Sequence, residues 1–257
     1  MTNEDKEILR KAKKLLENPG LAIKIANIIG KPVEIGMNLL PVKLSAEIGN
    51  TTRKALEIAL DIAVKTMDKG IYGKSQDVLH KIIVLSTGAA GGFFGAPALI
   101  AELPVSTTVM LRSIADIAQS EGEDLNDLKT RLSCLEVFAL GGNTGKDDSS
   151  ETGYFAVRAA LSKAVTEAAE FVAVKGIGKE SAPALVRFIA QIARRYGVTV
   201  SEKLAGQAIP VIGAAGGAVI NLIFIDHFQD MARGHFTVRR LEKKYGYDAV
   251  KSEYDNL

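Results

Sequence analysis

Acidic side chains in two apolar surroundings are the residues of this sequence most suited to chemistry. Glu102 is the single charged residue in the segment 82–111, and Glu136 lies in the otherwise apolar run LEVFALGG. A carboxylate removed from water must find a partner or bind a proton, so either side chain could act as a catalytic acid or base. Arg112 and Asp230 complete the set of candidate catalytic residues. A buried Glu–Arg pair that fixes the helix register explains Glu102 and Arg112 without catalysis.

A second group of polar residues lies in the C-terminal run IDHFQDMARGHFTVRRLEKKYG. At about 100° per residue, Asp226, Asp230 and Arg233 fall on one face of a helix, where Arg233 can pair with Asp230. Asp226, His227 and Asp230 are candidate metal ligands, but a metal would need a further ligand from another helix. Because the sequence contains no HExxH and no repeated ExxH motif, we predict no metal site and no cofactor.

The end of the same run is basic. Residues 233–244 contain five Lys or Arg residues against one acidic residue. A cluster of this kind can bind the phosphate headgroups of an anionic membrane, although a solvated helix face explains it as well. The candidate contacts to a membrane or lipid are Arg233, Arg239, Arg240, Lys243 and Lys244.

The bulk composition narrows the class of protein. The chain has 257 residues, of which 47% are hydrophobic and 24% charged, with a formal net charge of +2. This balance gives no argument for binding nucleic acid. Cys134 is the single cysteine, which excludes an internal disulfide framework. The N-terminal run MTNEDKEILRKAKKLLENPG has no apolar signal core, so we expect a cytoplasmic location.

Apolar residues recur at helical spacing, and no region alternates with a period of two. We therefore predict an all-α fold in which residues 1–257 form a single multi-helix domain. The segments 82–111 and 204–225 both contain the pentapeptide GAAGG, and their small residues would let two central helices approach closely. Burial in a core and reversible contact with a membrane both explain this composition.

Four local patterns predict where helices begin and end. We expect helices over residues 33–48 and 51–67, a break or kink around Glu102–Pro104, and a helix end at Gly197. The helix over 33–48 has apolar residues on several sides, which suits an amphipathic helix at a membrane surface. Packing against the core is the alternative for the same residues.

Three segments together resemble the EcsC family of bacterial proteins. They are GGFFGAPALIAELPVSTTVMLRSIADIA (91–118), EVFALGG (136–142) and AAGGAVINLIFIDHFQDMARGHFTVRRLEKKYG (214–246). The resemblance covers most of the chain beyond about residue 70, whereas residues 1–70 carry none. It implies a helical bacterial protein, cytoplasmic or membrane-associated, that could be an accessory factor to an ABC transporter. It carries over no catalytic residue.

From these patterns we predict a membrane-associated or lipid-interacting helical protein at the inner face of the membrane. Its expected partners are an anionic membrane surface or lipid and a transporter or other membrane protein, with no nucleic acid. The alternative is a metal-dependent or carboxylate-dependent enzyme with a buried acidic site. Convergence of Glu102, Arg112, Glu136 and Asp230 on one cavity would favour the enzyme.

Overall fold

The computed structural model of the protein describes residues 1–17, 20–40, 42–66, 95–141, 153–176, 183–209 and 213–257. Within these ranges the regular structure is helical and no strand is present, so the all-α prediction is confirmed. The helices are α1 (Asn3–Glu17), α2 (Leu21–Ile29), α3 (Val33–Leu39), α4 (Val42–Thr66), α5 (Gly95–Ser120), α6 (Leu128–Leu140), α7 (Tyr154–Lys175), α8 (Pro183–Ala208), α9 (Gly213–Tyr245) and α10 (Tyr247–Asn256).

Helices α6 and α8 form the centre of the fold. Every residue of α6 from Thr130 to Ala139 is buried, and α8 packs against α2, α3, α4, α6, α7 and α9. Asp127 caps the N-terminus of α6 by accepting hydrogen bonds from the backbone N–H groups of Lys129 and Thr130, which satisfies two donors that lack helical partners. Arg131 donates from Nη1 to the Val64 carbonyl at 2.8 Å. Its charge therefore stabilises the last turn of α4, where a cation is favoured.

Helices α2 and α3 lie against the C-terminal half of α8 at very short range. A Cβ atom at Gly36 in α3 would collide with the backbone carbonyl of Ala205, and a Cβ atom at Gly206 would lie 2.8 Å from Ile25 of α2. Glycine is needed at both positions because backbone and side chain leave no room for a methyl group. This contact fixes α2 and α3 side by side on the same end of α8.

Two predicted helix ends within the N-terminal half are wrong. The chain does not end a helix between residues 48 and 51: α4 begins at Val42 and continues to Thr66. Ile48, Thr52 and Ala55 are all buried, so α4 keeps one packed face across the polar residues Asn50 and Thr51. Packing of that face outweighs the weak helix propensity of the intervening residues.

Glycine and proline also fail to interrupt two helices. Helix α8 passes through Gly197, because burial of Tyr196 and Val200 on either side compensates the ~1 kcal/mol cost of a helical glycine. Helix α5 passes through Pro104 without a break. One turn further on, Thr107 donates to the Leu103 carbonyl at 2.7 Å and bonds to the Tyr196 hydroxyl at 2.9 Å, which fastens α5 to α8.

The structure describes part of each glycine-rich segment. The first GAAGG, residues 88–92, lies outside the described residues, whereas the second forms the first turns of α9. None of the helices in the described ranges combines the length and the hydropathy that crossing a bilayer requires.

Candidate functional site

A row of polar residues on the buried helix α6 begins the candidate site. Thr130, Ser133 and Glu136 are spaced by three residues and therefore lie along one face of the helix. All three are buried, yet this face meets polar groups from α7 and α9 instead of apolar side chains. The result is a polar layer beside an otherwise apolar helix.

Glu123, in the loop before α6, pairs with two basic residues of α9 at one end of this polar layer. Arg239 of α9 donates from Nε to Glu123 Oε1 at 2.9 Å and from Nη2 to Oε2 at 3.3 Å. Lys243 lies 3.0 Å from the same carboxylate. Burial acts to raise the pKa of Glu123, but hydrogen bonds from Arg239 and Lys243 outweigh it and hold the pKa below its ordinary value. The remaining fork nitrogen of Arg239, Nη1, donates to Ser133 Oγ at 3.2 Å.

Arg158 of α7 and Glu242 of α9 form a matching pair at the other end. The guanidinium donates to the two carboxylate oxygens at 2.7 and 3.0 Å, which is the bidentate geometry of the strongest Arg–carboxylate contacts. Its centre also lies 5.3 Å from the ring of Tyr154 and 5.7 Å from that of Phe155. Arg158 is therefore held from two sides, by a carboxylate and by aromatic faces.

Glu136 lies between these two pairs. Its residue surface is 5% exposed, and the charged groups that act on its carboxyl group include Arg158, Arg239 and Glu242. Burial raises the pKa of Glu136 to about 7, against the opposing effects of Arg158 and Arg239. Near neutral pH this side chain can therefore gain or lose a proton.

These groups line a cleft between α6, α7 and α9 with a volume of about 540 Å³. That volume lies within the range of small-molecule sites. The lining residues are Asp127, Lys129, Ser133, Glu136, Arg158, Ala159, Ser162, Val165, Thr166, Arg239 and Tyr247. The cleft thus combines two arginines, three hydroxyl groups from Ser and Thr, a protonatable carboxyl group and a short apolar wall.

A neutral histidine lies behind the cleft. His235 is fully buried, and its Nδ1 lies 3.0 Å from the Tyr154 hydroxyl. Burial, aided by the charges of Arg158 and Arg239, holds the pKa of His235 well below its ordinary value. His235 therefore supports Tyr154, and through it the ring that packs on Arg158, without adding a charge.

The four predicted catalytic residues lie in different surroundings. Only Glu136 lines the cleft. Glu102 of α5 lies 4.0 Å from Lys203 of α8, and Asp230 of α9 pairs with Lys24 of α2 at 3.2 Å. Arg112 is half-buried on α5 and forms no ion pair with the described residues. Their catalytic roles stay predictions, but the carboxylates do not share one site.

Each predicted lipid contact on α9 already has an acidic partner. The pairs are Arg233–Asp230, Arg239–Glu123, Arg240–Glu121, Lys243–Glu123 and Lys244–Asp5. In the sequence, the five basic residues follow one another over the last turns of α9. The fold places acidic residues from α1, α9 and the loop before α6 beside them. Their charge is therefore largely compensated within the protein.

The three candidate metal ligands lie in different chemical surroundings. Asp226 is exposed, whereas His227 is buried and donates from Nε2 to the Gly141 carbonyl at 2.8 Å. Asp230 is engaged by Lys24 and Arg233. In the part of the chain that the structure describes, no three His, Cys, Asp and Glu side chains are arranged to hold a metal ion.

Sequence reasoning missed Arg158, Ser133, Glu123 and Glu242 as members of the site. One signal was available: Thr130, Ser133 and Glu136 recur at a spacing of three in a helix whose other positions from Leu132 to Leu140 are apolar. Such a stripe indicates a polar neighbour but not which helix supplies it. Arg158 and Glu242 are distant in the sequence, so only the packing of α7 against α6 and α9 identifies them.

Comparison with known proteins identifies the family. The model of the EcsC protein family matches residues 3–241, which includes the N-terminal helices, the first two segments of the resemblance and residues 214–241 of the third. No curated protein and no solved structure matches the chain. The chain therefore belongs to the EcsC protein family.

Proposed function

We propose that the protein binds to the surface of a membrane through α2 and α3. The observation that supports this is an apolar outer surface on these two short helices. Five large side chains there are between 44% and 59% exposed. They are Ile23, Ile28, Ile35, Met37 and Leu39. Several exposed large apolar side chains on two neighbouring helices are typical of contact sites with membranes or proteins.

The way that α2 and α3 are held favours a flat apolar surface as the partner. Both helices are docked on α8 through Ile25, Gly36 and Gly206, so their other faces are turned away from the core. The turn between them carries Lys31, which is exposed and can extend its ammonium group to headgroup phosphates while its stem stays in the apolar layer. Burying five half-exposed side chains contributes about 1 kcal/mol each, which is sufficient for reversible attachment.

This proposal moves the membrane contact away from the basic end of α9. The five basic residues there are ion-paired, and a paired charge gives little attraction to anionic lipid. Apolar insertion by α2 and α3 would then supply most of the binding free energy, with Lys31 as an auxiliary contact. An accessory role beside a membrane transporter remains compatible with this orientation and is part of the same proposal.

Sedimentation with vesicles tests the proposal. Wild-type protein should pellet with vesicles of phosphatidylcholine and phosphatidylglycerol, and the variant Ile28→Asp/Leu39→Asp should stay in the supernatant. Val174→Asp is the matched control, because Val174 is 81% exposed but lies at the end of α7. Equal pelleting of the wild type and the double variant would contradict the proposal. Binding only to vesicles that contain membrane protein would instead identify a protein partner.

A carboxylate-dependent enzyme is the second candidate function, and the cleft position of Glu136 is the observation that favours it. A carboxyl group with a pKa of about 7 beside two guanidinium groups has the elements of general acid–base catalysis. Hydrolysis of a chromogenic ester should then fall at least tenfold in Glu136→Gln. Glu102→Gln, which alters a carboxylate outside the cleft, should keep the wild-type rate. An absence of turnover above the buffer rate in the wild type would reject this candidate.

A further inference from the structure

We infer that the cleft between α6, α7 and α9 binds a phosphate monoester through Arg158, Arg239 and the hydroxyl groups that line it. This site is separate from the α2–α3 surface and does not depend on membrane binding. Two observations support it: a cleft of small-molecule size that Arg158 and Arg239 line, and the position of Glu136, which lines the same cleft although its residue surface is 5% exposed.

Arg158 and Arg239 are held in place by carboxylates, but not all of their N–H donors are used. A guanidinium group has five N–H donors. Arg239 directs three of them to Glu123 and Ser133, and Arg158 directs two to Glu242. Both side chains line the cleft, so the remaining donors are available to a ligand. The carboxylates behind them fix the guanidinium planes in advance, which lowers the entropy cost of binding.

The other donors in the cleft fit a tetrahedral oxyanion. Ser133, Ser162 and Thr166 bring hydroxyl groups, and Lys129 brings an ammonium group at the rim. Phosphate offers three acceptor oxygens that point in different directions, and hydroxyl and guanidinium donors are its usual partners. The exposed ring of Tyr247 at the edge of the cleft suits the organic part of an ester.

The protonation of Glu136 sets the charge balance. The charged groups in and directly behind the cleft are Lys129, Arg158, Arg239 and Lys243 against Asp127, Glu123, Glu242 and Glu136. With Glu136 protonated, four cations face three anions, so an entering anion is favoured. With Glu136 ionised, the balance is zero and a carboxylate repels the phosphate. Binding must therefore be accompanied by proton uptake above pH 7.

The groups that act on Glu136 come from the helices around it. Helix α7 contributes Arg158 and Tyr154, and α9 contributes Arg239 and Glu242. On α8, Arg195 donates from Nε to the Ala139 carbonyl at the end of α6 at 2.9 Å. The proton that is taken up is therefore assigned to Glu136.

Calorimetric titration of the full chain with glycerol 3-phosphate tests the inference. Above pH 7.5 the phosphate group is already a dianion, since its second pKa is about 6. The affinity of the wild type should fall about tenfold between pH 7.5 and 8.5. Two buffers of different ionisation enthalpy should show uptake of about one proton per ligand at pH 8.5. Glu136→Gln should bind with an affinity that no longer changes with pH and without proton uptake. A variant with the wild-type pH dependence would overturn the role of Glu136.

A steric block locates the site. Ala159 lines the cleft and is exposed, so Ala159→Trp should reduce the affinity at least tenfold without disturbing the core. Ala173→Trp, at another exposed position of α7, is the matched control and should bind as the wild type does. Equal affinity in both tryptophan variants, or an absence of saturable heat in the wild type for every probe, would overturn the inference.

Two sources of the phosphate monoester can be told apart. Vesicles of phosphatidylcholine with phosphatidic acid present the same group on a lipid. If Ala159→Trp weakens binding to these vesicles while glycerol 3-phosphate gives no heat, the ligand is a lipid headgroup. If glycerol 3-phosphate binds and Ile28→Asp/Leu39→Asp binds it equally well, the ligand is soluble. This second result also separates failure of the membrane proposal from failure of the cleft proposal.

Discussion

The α2–α3 surface and the polar cleft differ in the kind of side chain that the fold places in an unfavourable environment. On α2 and α3, large apolar side chains such as Ile28 and Leu39 stay more than half exposed. In the cleft, the ionisable side chain of Glu136 is buried. Each arrangement costs free energy in the isolated protein. The cost in both places is reduced when something binds, a membrane in one case and an anion in the other.

The two regions are also attached to the core by different forces. Helices α2 and α3 are held by close apolar contact with α8, where Gly36 and Gly206 leave no space. The cleft is held by the ion pairs Arg239–Glu123 and Arg158–Glu242. Disruption of one contact should therefore have different consequences in the two regions.

The largest effect is expected for Arg158→Met. The Arg158–Glu242 pair is mostly buried, so removing the cation leaves a carboxylate that neither water nor protein compensates. We expect a loss of about 3–5 kcal/mol in the free energy of unfolding, measured by urea denaturation. The double variant Arg158→Met/Glu242→Met should recover at least half of it. Arg187→Met, at an exposed pair with Glu167, is the control, with a loss below about 1 kcal/mol. Similar losses in both single variants would mean that the cleft pair is solvated.

The all-α fold could be predicted from the sequence because it depends on the local spacing of apolar residues. Apolar residues at helical spacing predicted the all-α fold that the described residues show. The boundaries failed where local and tertiary preferences compete. Glycine at 197 and proline at 104 are unfavourable in a helix, but packing of α8 and α5 decides the outcome, and packing is not visible in a single sequence.

The sequence alone predicted only part of the candidate site. Glu136 was identified because a carboxylate in an apolar run is an anomaly that a sequence displays. Its neighbours were not, because Arg158 looks like an ordinary surface arginine in an alanine-rich helix. The basic run on α9 suggested an unpaired positive surface because its acidic partners are also distant in the sequence. Asp5 and Glu123 are distant in the sequence but lie within 3.0 Å of Lys244 and Lys243 in the fold, so the charge count of a segment did not predict its charge balance.

The next effect concerns the proton on Glu136. Burial raises the pKa of Glu136 from its ordinary value of 4.5 to about 7, so the folded state holds this proton more tightly than the unfolded state does. Wild-type stability therefore declines as pH rises from about 4.5 to about 7 and stays reduced above it. Glutamine resembles the protonated form, so Glu136→Gln should match the wild type near pH 4.5 and exceed it by up to about 3 kcal/mol at pH 8.

Denaturation of the wild type and Glu136→Gln at a series of pH values measures this difference directly. Glu170→Gln, at an exposed carboxylate of α7, is the control for replacing any glutamate. A stability difference between Glu136→Gln and the wild type that stays constant with pH would mean that the cleft solvates Glu136 well. The proposed proton uptake on phosphate binding would then have no source.

A smaller effect is expected at the attachment of α3. In Gly36→Ala the new methyl group would occupy the position of the Ala205 carbonyl, so α3 must move away from α8. We expect a loss of about 1–3 kcal/mol and faster hydrogen exchange confined to α2 and α3. Gly49→Ala is the matched control, because Gly49 is helical with no neighbour within 4 Å, and the substitution should stabilise the protein by up to ~1 kcal/mol. Slow exchange in α2 and α3 of Gly36→Ala would show that this contact does not hold them.

The smallest effect distinguishes the two possible membrane contacts. Arg240 pairs with Glu121 at 2.8 Å and its side chain is 44% exposed, so Arg240→Gln should change the free energy of unfolding by less than about 1 kcal/mol. Because this charge is already compensated, binding to anionic vesicles should fall by no more than about threefold at low salt and not at all at high salt. Ile28→Asp/Leu39→Asp should abolish binding at both salt concentrations, since apolar contact is not screened. If Arg240→Gln removed vesicle binding while the apolar variant kept it, the membrane contact would lie on α9, and the exposed face of α2 and α3 would have to be a surface for another protein.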